Sequence, residues 1–138
     1  MDNLTRQERS KQMALIRCKN TKPELLVGAL VRFHGYKFRL HQSNLPGKPD
    51  LVFPNRKKVI FVHGCFWHGH KCRLGRTPKS RKDYWVPKIS GNHKRDLRTL
   101  RTLRRSGWKC LVLWECRLRK RNLSPLSERI LRFLKSTA

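Results

Sequence analysis

Eight consecutive residues carry the densest chemistry in the chain: Cys65-Phe66-Trp67-His68-Gly69-His70-Lys71-Cys72 offers two thiols and two imidazoles within one short segment. Cys116, further along at the end of an apolar run, is a further candidate ligand. Zinc takes four such soft ligands in a tetrahedron, and short gaps between ligands let one loop wrap the ion. Three near ligands and one distant one would staple the loop to the strand that ends near Trp114. His68 and His70 compete for the third place. Without a metal, Cys65 and Cys116 would read as small buried hydrophobes. Cys18 and Cys110 stand outside the cluster and read as packing residues.

Acidic residues are scarce, so the pair Pro49-Asp50 before the apolar Leu51-Val52-Phe53 is the second feature. A carboxylate at a strand start in so basic a chain lies where phosphates would be drawn. There it could hold Mg²⁺, which polarises a phosphodiester and generates hydroxide. Taken alone, an Asp before a strand is an ordinary turn residue. Its company changes the reading, because His63, His68 and Asp96 supply groups able to bind metal or shuttle protons near one edge of the expected sheet. For Glu24 a helix-capping role suffices, and for Asp96 pairing with neighbouring arginines. The third feature is aromatic: Phe66-Trp67 inside the ligand loop and Tyr84-Trp85 after it could stack on bases or wedge between them.

Composition supports a polyanionic partner. In 138 residues there are 34 Lys+Arg against 8 Asp+Glu, a formal charge of +26. With 38% hydrophobic residues and four Trp the chain can bury a core, which argues against a solvated basic tail. Apolar runs such as Val59-Ile60-Phe61-Val62 are too short to span a membrane, and the polar start Met1-Asp2-Asn3-Leu4 is unlike a secretory signal. Five cysteines, an odd number, suit free thiols or metal ligands in a reducing cytoplasm.

The elements that must position these groups can be read from periodicity. Thr5-Arg6-Gln7-Glu8 opens a short basic helix over the first twenty residues, more arm than core. Thr21-Lys22-Pro23-Glu24 opens a second, with Leu25, Leu26, Ala29, Leu30 and Phe33 on its inner face and Gly35 as its stop. Strands are expected at Tyr36–Leu40, Leu51–Phe53 and Lys57–Val62, then a functional loop from His63 to about Lys82. A helix from about Asn92 to Arg105, with Leu97, Leu100 and Leu103 on one side, a strand Trp108–Trp114 and a final helix capped by Ser124-Pro125 complete the order. The result is an α/β protein with a mixed central sheet flanked by helices, in one domain, with residues 21–138 as its catalytic core.

These residues, in this order and spacing, closely resemble the very-short-patch-repair DNA mismatch endonucleases. The resemblance is carried by Leu45-Pro46-Gly47-Lys48-Pro49-Asp50-Leu51-Val52, by Ile60 to Cys72, by Tyr84-Trp85, Asn92, Arg95-Asp96 and Gly107-Trp108, and by Val112-Leu113-Trp114-Glu115-Cys116. It implies a restriction-endonuclease-like fold and a Mg²⁺-dependent nick 5′ to the thymine of a T:G mismatch, the lesion left when 5-methylcytosine deaminates. By that likeness Asp50 and the backbone carbonyl of Val62 hold Mg²⁺, while His63, His68, Asp96 and Glu24 surround the scissile phosphate. Cys65, His70, Cys72 and Cys116 hold a structural Zn²⁺. Phe66, Trp67 and Trp85 intercalate from the major groove, Met13 enters from the minor groove, and Lys88 and Asn92 read the mismatch. Two departures are Val62, where the family usually has Thr, and Gly69, where a His is common.

The partners so implied are double-stranded DNA, a functional link to a cytosine-5 DNA methyltransferase and other mismatch-repair proteins. The protein would be a monomer, cytoplasmic and associated with the nucleoid. Two other readings use the same residues: a nicking, homing or restriction endonuclease of different specificity, and a non-catalytic zinc-stabilised DNA-binding module.

Overall fold

The computed structural model describes residues 23–136 apart from 41, 43, 69, 71 and 73–79. The arm expected over residues 1–20, with Met13 and Cys18, and the Thr21 cap lie outside the described residues. Helix α1 runs Pro23–Phe33. Gly35, at φ +84, ends it: the Gly35 N–H returns to the Arg32 carbonyl and that of Tyr36 to Val31. This left-handed closure suits a residue without Cβ.

Strands β1 (Arg39–Leu40), β2 (Leu51–Phe53), β3 (Lys58–His63) and β4 (Lys109–Trp114) form one sheet in that spatial order. The first three are antiparallel neighbours, whereas β3 and β4 run parallel and are joined by helix α2, Lys82–Arg105. A parallel pair needs such a crossover. A one-turn helix α3 (Glu115–Leu118) follows β4 directly, and α4 (Ser124–Lys135) closes the chain.

Side chains alternate across the sheet as the pleat requires. Leu51, Phe53, Ile60, Leu111 and Leu113 point to one face, where they pack with Val27, Leu30 and Val31 of α1 and Leu126, Ile130 and Leu134 of α4. Val52, Val59 and Phe61 point to the other, against Leu103 of α2. Asp50, two residues before Val52, and His63, two after Phe61, share this parity and fall on the α2 side, which decides where the chemistry sits.

Four expectations are corrected. The helix expected from Asn92 begins at Lys82 and runs through Pro87. Pro87 removes one backbone donor and Gly91 lowers propensity, yet Ile89 is buried in this part of the helix, and packing outweighs propensity. Leu97 does not share the buried side with Leu103: it is 51% exposed, because successive steps of three residues rotate away from a core stripe. On α1, Leu25 is likewise exposed, and Val27, Leu30 and Val31 form the inner face. The expected strand from Tyr36 shrinks to Arg39–Leu40.

Candidate active site and metal centre

Parallel pairing brings the first cluster together. In the β3–β4 register His63 faces Trp114, so Cys65 and Cys116 each stand two residues beyond neighbouring strand ends. The Cys116 N–H points at Cys65 Sγ, 3.4 Å away. The loop then turns back: the His68 N–H bonds to the Gly64 carbonyl at 3.2 Å and that of His70 to the Cys65 carbonyl at 3.0 Å. This turn lays the His70 ring on Trp114, centroids 4.1 Å apart, and brings His70 Nδ1 to 3.7 Å from Cys116 Sγ.

Ligand atoms of Cys65, His70, Cys72 and Cys116 all lie within 4.8 Å of one another. A tetrahedral zinc with ~2.3 Å bonds to sulfur needs ligand separations a little under 4 Å, so a small contraction would close the site. Burial, with the Cys72 and Cys116 side chains adding to it, pushes the Cys65 thiol up to about 12, while the Cys116 N–H opposes the shift. A thiolate at that position therefore needs a cation beside it. The donor set fits a structural metal, and His70, rather than His68, takes the third place.

The second group lines a cleft between the ends of β2 and β3 and the middle of α2: Asp50, Val62, His63, His68 and Asp96. Asp50 Oδ2 accepts the Val62 N–H at 2.7 Å, which ties the carboxylate to the end of β3. His68 meets Asp96 through Nδ1 and Oδ2, an arrangement that fixes the ring and leaves Nε2 unengaged by Asp96. The His63 ring lies flat on that of His68, centroids 3.9 Å apart and planes 2° from parallel. His63 Nδ1 is buried with no hydrogen-bond partner among the described residues. Burial, then the adjacent His68, holds His63 down at about 4 against the opposing pull of Asp96, so its imidazole is neutral near pH 7. Oxygen donors from Asp50 and the Val62 main chain suit a hard divalent cation, and ligand atoms of His63, His68 and Asp96 also converge within 4.8 Å. Glu24 stands half-buried in the first turn of α1 and is not among the residues lining the cleft.

Beside the cleft, Phe66 and Trp67 meet Trp85 edge to face, at 5.1 and 5.7 Å between centroids. Trp67 remains 47% exposed. The early start of α2 explains this group, because Trp85, Lys88, Asn92 and Asp96 then fall on one helical stripe. Lys88 Nζ lies 5.5 Å above the Trp67 ring, and Asn92 Nδ2 donates to the Trp67 carbonyl at 2.8 Å.

The model of the family described as DNA mismatch endonuclease Vsr matches residues 1–74, which include Asp50, His63 and three of the metal-cluster residues. The chain belongs to this family. Among its relatives are the type II nicking enzyme V.XorIIP of Xanthomonas oryzae pv. oryzae, 53% identical over 117 residues that cover 85% of this chain and 86% of that protein. The type II nicking enzyme V.NmeAIP of Neisseria meningitidis serogroup A is 42% identical over 120 residues, covering 87% of this chain and 86% of its own length. The DNA mismatch endonuclease Vsr of Escherichia coli K12 is 42% identical over 113 residues, 82% of this chain and 72% of that protein. As a Vsr-family member the chain is a nuclease acting on DNA, and the cleft holding Asp50 is its candidate catalytic site. Sequence reasoning passed over Gly47, Lys48 and Thr99, which also line this cleft; the one available signal was the i, i+2 spacing of Lys48 and Asp50. No helix among the described residues is long and apolar enough to cross a membrane.

Proposed function

We propose that this endonuclease nicks one strand of duplex DNA 5′ to the thymine of a T:G mismatch, with Mg²⁺ in the cleft and Zn²⁺ on the Cys65, His70, Cys72 and Cys116 set. The observation that carries the reading is the convergence of Asp50, His63, His68 and Asp96 in one cleft directly beside the loop of half-buried Phe66 and exposed Trp67. We read the core as restriction-endonuclease-like, one catalytic domain of residues 21–138 preceded by a basic arm that carries Met13.

Asp50 and the Val62 carbonyl would hold Mg²⁺, which would supply polarisation of the phosphodiester and a more acidic water. Hydrolysis needs a proton taken from the attacking water and one returned to the departing alkoxide. His68, oriented through Nδ1 by Asp96, presents Nε2 for the first transfer, as a histidine held by a carboxylate does in other hydrolases. His63 stays neutral and flat against it, so no second imidazolium opposes a proton arriving on His68. Glu24 stays with the groups around the scissile phosphate, as the family resemblance implies.

Recognition belongs to the aromatic loop. Arginine and lysine contacts to phosphates hold any duplex and cannot tell T:G from T:A. A wobble pair stacks less well, so wedging Phe66 and Trp67 beside it, with Trp85 behind them and Lys88 and Asn92 near the base edges, costs less there than at a Watson-Crick pair. T:G pairs of this kind arise by deamination of 5-methylcytosine, which links the enzyme to a cytosine-5 DNA methyltransferase and to mismatch-repair proteins. We read it as a cytoplasmic, nucleoid-associated monomer. The names of two relatives, type II nicking enzymes, favour a second reading in which the same site acts in a different flanking sequence. A panel of labelled duplexes with T:G or T:A in varied flanks, with Mg²⁺ or with EDTA, tests both. Strand-specific nicking confined to T:G and to Mg²⁺ is expected; equal cutting of T:A, or cutting in EDTA, contradicts the reading.

A further inference from the structure

Lys48 lines the catalytic cleft, and neither metal binding nor proton transfer uses it. Its backbone is left-handed, φ +47, directly after Gly47 at φ +74. Two such residues in succession are costly for any side chain but glycine. The loop has no room to relax. A Cβ at Gly47 would lie 2.3 Å from the Thr99 methyl on α2 and 3.3 Å from the Phe61 ring, so the backbone is pressed onto helix and strand. On the other side the fully buried Pro49 fixes the chain, and the Lys48 N–H closes the turn on the Leu45 carbonyl at 3.2 Å.

This geometry fixes Lys48 at a cleft whose other charged lining residues are Asp50, Asp96 and Arg95, the last on α2 rather than on the loop that leads into Asp50. Two carboxylates beside a phosphodiester repel it, and the charge that develops on its non-bridging oxygens needs a preorganised cation. Lys48 takes part in neither the His68–Asp96 nor the Arg119–Glu115 pair, so neither of these holds its ammonium group. A glycine would fit this backbone without strain, and the lysine is the residue that brings charge. We propose that Lys48 is a further catalytic residue: its ammonium contacts a non-bridging oxygen of the scissile phosphate and stabilises the charge gained there as water attacks. It neither donates nor accepts a proton in the step. The inference rests on the nicking reading above.

The left-handed backbone makes the test clean. Lys48→Gly removes the ammonium and the backbone penalty together, so its thermal midpoint should equal or exceed that of the wild type. Its single-turnover nicking rate on a T:G duplex with Mg²⁺ should fall by about 10²-fold, while duplex affinity at fixed salt falls only as far as one phosphate contact allows. Lys48→Gln should lose a similar factor and Lys48→Arg should retain most of the rate. Wild-type nicking by Lys48→Gln, or a loss in Lys48→Gly that appears only together with a lowered thermal midpoint, overturns the assignment. Failure of the wild-type protein to nick the T:G duplex would instead strike the underlying reading.

Discussion

Asn92 of α2 donates from Nδ2 to the main-chain carbonyl of Trp67 at 2.8 Å. The bond ties the tip of the aromatic loop to the helix that also carries Asp96, so the wedge and the catalytic cleft share one support. Asn92 is thus a strut as well as a candidate reader of base edges. Replacing it with Ala removes a hydrogen bond worth about 1 kcal/mol and frees the loop tip. The T:G over T:A preference of Asn92→Ala should fall by roughly 3- to 10-fold, with non-specific binding unchanged. Competition binding of the two duplexes at one salt concentration measures this; an unchanged preference would remove Asn92 from both roles.

The metal cluster closes two strand ends and a loop at once, so its ligands act together. Cys72→Ser should lose the stoichiometric zinc expected of the wild type, lower the thermal midpoint and weaken T:G selectivity, since the loop that presents Phe66 and Trp67 loses its anchor. Metal analysis of both proteins decides the matter. Wild-type protein free of zinc yet fully stable would refute the site.

Lys58 is 2% exposed, and its ammonium donates to the carbonyls of Phe133 at 2.7 Å, Leu134 at 3.0 Å and Ser136. These acceptors are at the C-terminal end of α4, where a cation also complements the helix dipole. Burial, then the charges of Lys109 and Arg56, pulls the Lys58 pKa below its ordinary value, a cost the three carbonyls offset. Lys58→Met would remove the donor these carbonyls share, leaving Phe133 with the Ser136 hydroxyl and Leu134 with a long Arg56 contact, and should cost about 2–4 kcal/mol in denaturant unfolding. A loss under 0.5 kcal/mol, the size of an ordinary surface substitution, would show that the contact contributes nothing.

Much of the site was legible because its residue types are uncommon in so basic a chain. Cysteine and histidine spacing marked the metal cluster, and the isolated Asp50 marked the cleft. Apolar runs bounded by turn residues located β2, β3 and β4 to within one residue of each end, whereas the alternation over Tyr36–Leu40 overstated β1. What local reading missed depends on distant partners. Lys58 finds its acceptors some 75 residues later in the chain. The need for glycine at position 47 comes from Thr99 on another element. Pro87 and Gly91 signal a helix break, and only the packing around Ile89 and the contacts of Trp85 with Phe66 and Trp67 carry α2 through them. The family resemblance supplied what spacing left open, including His70 over His68 as the metal ligand.

His63 gives the fold a pH dependence with a definite sign. It sits near 4 when folded against its ordinary 6.5, so between these values the unfolded chain binds more protons. Stability from this group is therefore fully present above pH 6.5 and is lost as pH falls towards 4, on the order of 3 kcal/mol in all. Denaturant unfolding of wild type and His63→Asn at pH 4.5 and 7 should show the gap between them narrowing at the lower pH. A gap that widens would contradict the burial argument.

The central claim is that Asp50 organises a metal-dependent cut in a protein whose DNA binding lies elsewhere. Asp50→Asn keeps the side chain's size, and its Oδ1 can still accept the Val62 N–H, but it removes the negative charge that a hard cation needs. The decisive measurement is single-turnover nicking of one T:G duplex by wild type and Asp50→Asn, with Mg²⁺, alongside the affinity of each for the same duplex. The account predicts near-equal binding and a fall in nicking of about 10²-fold or more. Nicking by Asp50→Asn at the wild-type rate would contradict it.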